Sequence, residues 1–247
     1  MPEIWFISGP PLGVALWRAV ADRVRSMGIN AKTWACLASG SGDIAEEFAR
    51  LSADLDGAEG EVFLVGHGSA LPLVRAAGAH PKVSGLVLSN GPGQRLDRLS
   101  RLWSRLFSMP KPLRDGLLGP TLIMPLLQSS LGMRRVVVNP YVMDRDTVVA
   151  ICGPFFSDAA RLQRTASYFK SLADLPETPL DLAKPILLCW GDSDPLGADT
   201  YSDFLMTTGP KISHSPIPGG RFMHPVERPW ELADRVTEWS KKWSTTT

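Results

Sequence analysis

The sequence predicts an α/β fold: a mostly parallel, doubly wound sheet with helices on both faces and an inserted helical cap. Three observations carry that expectation. Short apolar runs alternate with amphipathic stretches over the first 90 residues. The alternation stops between about 91 and 180 and then resumes. The strand candidates are apolar along their whole length, as strands buried on both faces are.

Ile4–Ile7 (IWFI) reads as a strand ending at Ser8-Gly9, and Ala15–Ser26 as a helix that Gly28 stops. Lys32–Cys36 is a second strand, and Asp43–Leu55 a helix with Ile44, Phe48 and Leu51 on one face. Val62–Val65 (VFLV) is a third strand, followed by Gly66-His67-Gly68-Ser69 and a helix through Ala77; Val83–Ser89 is the fourth strand. From Asn90 to about Leu180 the patterns are helical. Leu96–Phe107 sets Arg98, Arg101 and Arg105 opposite its leucines and aromatics, and Pro154–Leu172 is a second amphipathic stretch. Strand signals return at Lys184–Trp190 and Ile212–Ile217. A last helix, Pro229–Trp243, has Pro in its first turn and Glu231 close behind. The expected division is a core of residues 1–90 and 181–247, with residues 91–180 as the cap.

Composition narrows the function. The 247 residues are 44% hydrophobic and 21% charged, which excludes intrinsic disorder. A net charge of +1 argues against nucleic-acid binding. The start, MPEIWFISG, lacks the basic region of a signal peptide. No transmembrane segment is expected, since the best apolar run, TLIMPLL, is short and interrupted by Pro125. Cys36, Cys152 and Cys189 are too few and too scattered for a disulfide framework or a zinc site. A cytoplasmic setting follows. Residues 91–180 hold twelve Lys and Arg against seven Asp and Glu, so the cap is basic and the remainder slightly acidic. A basic lid could draw in an anion, or its arginines could simply be solvated. No P-loop lysine, GxGxxG spacing or metal-ligand cluster occurs, so neither cofactor nor metal is expected.

The segments ISGPPLG, VFLVGHGSA, HPKVSGLVLSNGP, WGDSDPL and IPGGRFMHPVERP together resemble the α/β-hydrolase superfamily over essentially the whole chain. More narrowly, they look like its cap-bearing esterase, haloalkane dehalogenase and C–C hydrolase branch. That resemblance implies a nucleophile on a tight turn after a strand, two backbone N–H groups for an oxyanion, a histidine base and an aspartate that orients it.

Three of these parts are altered. The nucleophile position of the Gly-x-nucleophile-x-Gly turn falls on Gly68, which has no side chain, while Ser69 stands one residue late. Ser69 reads either as a displaced nucleophile or as a helix-start hydroxyl. Pro10 takes the early-loop position that should donate an N–H to the oxyanion, and proline has none. Laid without gaps on Ile217–Pro229, the family's ending puts Phe222 in place of the histidine, with His224 two residues on as the remaining base candidate. Asp194, in WGDSD, stands where the orienting carboxylate belongs, or caps its own Asp-Pro turn. His67 reads as a buried packing residue, Ser8 as a pocket or turn hydroxyl, and Trp103 as a residue lining a ligand site.

Three functions stay open. The chain binds a small apolar or anionic molecule between core and cap, with or without non-hydrolytic acid–base chemistry by His224 and Asp194. Alternatively it is an active esterase using Ser69, or water, with His224 and Asp194. Or it is a non-catalytic partner-binding protein. A small-molecule ligand or substrate is the expected partner, and the oligomeric state is open.

Overall fold

The computed structural model describes residues 2–92, 96, 98–174, 183–195, 206 and 208–244. The expected boundary at 180/181, and Arg95, Asp97 and Glu177 of the charge count, lie outside the described residues.

Strands β1 (Glu3–Ser8), β2 (Asn30–Ala35), β3 (Val62–His67), β4 (Val83–Ser89), β5 (Ile186–Cys189) and β6 (Ile212–His214) form one sheet in the order β2-β1-β3-β4-β5-β6. Every pairing is parallel. Position in the sheet explains the sequence patterns. All six residues of β3 and all four of β5 are buried, whereas the edge strands β2 and β6 alternate or stay half-exposed. Helices α1 (Arg18–Ser26), α2 (Ile44–Asp56) and α3 (Leu71–Ala77) make the crossovers, with a 3₁₀ turn, Gly68–Ala70, leading into α3. A short helix α9 (His224–Glu227) and a long one, α10 (Pro229–Trp243), end the chain, and α10 packs on α1.

Between β4 and β5 the described residues hold α4 (Arg98–Phe107), α5 (Lys111–Leu117), α6 (Pro120–Gln128), α7 (Arg145–Phe156) and α8 (Ala159–Ala173), and no strand. Two details depart from expectation. Pro154–Leu172 is not one helix: α7 ends at Phe156, and the Asp158 carboxylate accepts from Arg161 N at 2.8 Å to start α8 afresh. Helices α5 and α6, missed in the sequence, are short, and each carries Pro in its first turn, where no intrahelical N–H is needed. The TLIMPLL run lies in α6. Among the described residues no helix is long and apolar enough to cross a membrane.

The topology fixes where a site can form. After β1 the chain crosses to β2 on one side and then to β3 on the other. The carboxyl ends of β1 and β3 therefore border the crevice where ligands bind in open parallel sheets. Ser8-Gly9-Pro10 leaves one strand there, and His67-Gly68-Ser69 the other.

Candidate functional site

Gly68 stands at the summit of the turn after β3, with φ of +58°, a left-handed conformation suited to glycine. Its N–H donates to Asn90 O at 2.7 Å, tying the turn to the end of β4. A Cβ placed on Gly68 would lie 3.3 Å from Phe222 Cζ and 3.6 Å from Leu12 Cδ1. The ring of Phe222 thus covers the point from which a nucleophile would project. Positions 68 and 222, which the resemblance assigns to nucleophile and base, face each other across van der Waals distance. They carry glycine and phenylalanine.

Ser69 is buried, and its hydroxyl donates to the carbonyl of Pro10, while Tyr168 Oη donates to Ser69 O at 2.8 Å. The Ser69 hydroxyl is therefore turned toward the early loop. That loop brings no N–H from Pro10 or Pro11, and the N–H of Leu12 is already bonded to Gly9 O at 2.9 Å. Gly9 allows the close approach: a Cβ there would meet Ala70 N at 2.6 Å.

His224 is fully buried. Its Nδ1 lies 3.2 Å from Arg221 O, an acceptor only, so Nδ1 carries the proton. Nε2 is then an acceptor, and Ser89 Oγ donates to it at 3.0 Å. Ser89 in turn accepts from His67 Nδ1 at 2.9 Å, which leaves His67 Nε2 bare, and that atom is buried with no partner among the described residues. Burial pushes the His224 pKa down to about 4. Burial first, and His224 second, push that of His67 well below its ordinary value. Both imidazoles are neutral at pH 7 and joined through Ser89.

Asp194 is also buried, and it accepts from Asn90 Nδ2 at 2.7 Å. The other end of that amide, Oδ1, accepts from Gly191 N at 2.8 Å. Both ring nitrogens of His224 are engaged elsewhere, so the carboxylate and the imidazole are not joined by a hydrogen bond. Ser89 and Asn90, which organise His67, His224 and Asp194, went unnoticed in the sequence. Their only signal there is a pair of polar residues at the end of an otherwise apolar strand.

In front of this layer is a cavity of about 530 Å³, bordered by Pro10, Ser69, Trp103 and Phe222 among others. Most of its wall is apolar and comes from α4, α6 and the loop after α6. Trp103 packs on Phe107 and Phe156 at 5.8 and 6.0 Å between ring centroids, which stiffens that wall. Of the residues expected at the pocket, Ser8, His67, Gly68, His224 and Asp194 do not border this cavity. Ser8 donates to Trp34 O at 3.1 Å and borders a second cleft of about 640 Å³, on the β2 side. Among the described residues no cluster of His, Cys, Asp and Glu could hold a metal ion.

Solved structures with this fold are numerous. A thermophilic esterase from Thermogutta terrifontis has a TM-score of 0.70 at 16% identity, covering 99% of this chain and 91% of its own. The Cif epoxide hydrolase from Acinetobacter nosocomialis has a TM-score of 0.75 at 12% identity, covering 97% of this chain and 82% of its own. The fold is that of the α/β hydrolases. A haloalkane dehalogenase, DbeA from Bradyrhizobium elkani, is similar over 100% of this chain and 92% of its own, with a TM-score of 0.71 and 16% identity. No family model and no curated protein matches the sequence.

Proposed function

We propose that this α/β-hydrolase-fold protein binds a small, mostly apolar molecule between its sheet core and a cap of residues 91–180, and does not cleave it through a serine triad. The observation that carries the reading is the opposition of Gly68 and Phe222, with the Phe222 ring 3.3 Å from where a side chain at 68 would begin. Nucleophile and base are absent together, and the space between them is filled by an apolar ring. Removing one such group typically costs about a million-fold in rate. Acid–base chemistry by His224 and Asp194 is also disfavoured, because neither borders the cavity. A cavity of about 530 Å³ lies within the range of small-molecule sites and favours a ligand over a plugged, purely partner-binding role. The three buried, free cysteines suit a reducing, cytoplasmic compartment.

The test is a fluorophosphonate probe with a panel of p-nitrophenyl esters. No labelling and no turnover above buffer are expected. Labelling at Ser69, abolished together with turnover in Ser69→Ala, would replace binding with ordinary ester hydrolysis.

A further inference from the structure

We propose that the cavity takes an amphipathic carboxylate, an apolar body carrying one anionic head, and that Arg221 grips the head. This rests on the ligand-binding reading above and names the ligand class. Two arginines, Arg135 and Arg221, border the cavity, and among the described residues no acid does. Arg221 is half-buried, and its Nη1 donates to the carbonyls of Arg135 at 3.2 Å and Val137 at 3.1 Å. These are neutral partners. Its Nε is buried with no partner and closed to the cavity, and no acid pairs with Arg221 among the described residues. The carboxylate next along the chain, Glu227, makes its hydrogen bonds to another segment: its Oε1 accepts from Val138 N and Asn139 N at 2.5 and 2.8 Å, and its Oε2 is buried with no bond to Arg221.

A part-buried guanidinium with no bonded counter-charge is costly. With Nη1 anchored and Nε sealed under the protein, Nη2 is the donor left, and a charge-assisted bond from it to a carboxylate oxygen supplies the missing partner. Anchoring of Nη1 by two carbonyls also preorganises that nitrogen. The remainder of the wall, with Leu99, Trp103 and Leu127, suits a hydrocarbon or aromatic body.

Isothermal titration of the purified protein with hexanoate, octanoate, decanoate and octanol tests this. Octanoate should bind at least about tenfold more tightly than octanol. Affinity should rise about fourfold per methylene along the carboxylate series until the cavity is full. Arg221→Gln should bring octanoate down to the level of octanol, and Arg221→Lys should restore part of the difference. Octanoate and octanol binding equally well to the unaltered protein would overturn the carboxylate while leaving an apolar site standing; that comparison needs no variant to fold. An octanoate advantage that survives in Arg221→Gln would overturn the assignment to Arg221. Binding of none of the four would overturn the cavity as a ligand site, and this inference with it.

Discussion

Gly68→Ser puts a hydroxyl at the summit of the turn, and the geometry predicts a less stable protein that still cleaves no ester. Residue 68 has φ of +58°, and holding an L-residue in that left-handed region costs roughly 1–2 kcal/mol. The added Cβ would stand 3.3 Å from Phe222 Cζ, so the ring must also give way slightly. At about 2–4 °C per kcal/mol for a chain of this size, Tm should fall by about 2–8 °C. The new hydroxyl gains no base. His224 Nε2 is held by Ser89 at 3.0 Å and Nδ1 by Arg221 O at 3.2 Å, and the ring of Phe222 lies against position 68. Calorimetry and p-nitrophenyl butyrate turnover on one preparation give both readouts. An unchanged Tm would refute the strain. Turnover that disappears again in Gly68→Ser/His224→Gln would refute the seclusion of His224.

Three further outcomes follow from the same geometry. Burial lowers the His224 pKa from 6.5 to about 4, so between those values the unfolded chain binds more protons. Stability should therefore be full above about pH 6.5 and fall as pH drops toward 4, by about 3 kcal/mol in all. Urea midpoints followed by tryptophan fluorescence at pH 7 and 5 measure this; His67, also buried and shifted down, adds a slope of the same sign, so the fall should be shallower in His224→Gln and shallowest in His67→Gln/His224→Gln, and a double variant that falls as steeply as the unaltered protein would show that another group is responsible. Tyr168→Phe removes the buried donor to Ser69 O and should cost about 1–2 kcal/mol in chemical denaturation, whereas an unchanged midpoint would show the bond to be idle. Gly68→Ser/Phe222→His sets a hydroxyl opposite an imidazole, and p-nitrophenyl butyrate hydrolysis should exceed either single variant by roughly a hundredfold. No gain would mean that the two positions do not face each other productively.

Much of the architecture was legible in the residues. Apolar runs such as VFLV can be buried on both sides only in a covered parallel sheet, so the four early strands, the interruption and the return of the pattern were all readable. The break between α7 and α8 was not, because Asp158 in the middle of an apolar period acts as a cap only when its side chain turns back onto Arg161 N. The short helices α5 and α6 carry too few turns for a period to emerge.

At the candidate site, the chain itself determined what positions 68 and 10 cannot supply: a glycine has no side-chain nucleophile and a proline no N–H, whatever surrounds them. Tertiary structure decided what stands in the empty places. Phe222 is more than 150 residues from Gly68 along the chain, and only the sheet end brings them together. Ser89 and Asn90 redirect His224 and Asp194 away from each other through hydrogen bonds across elements distant in sequence. Arg221 acquires its unpaired Nη2 in the same way, since which carbonyls a guanidinium meets depends on packing that no local pattern encodes.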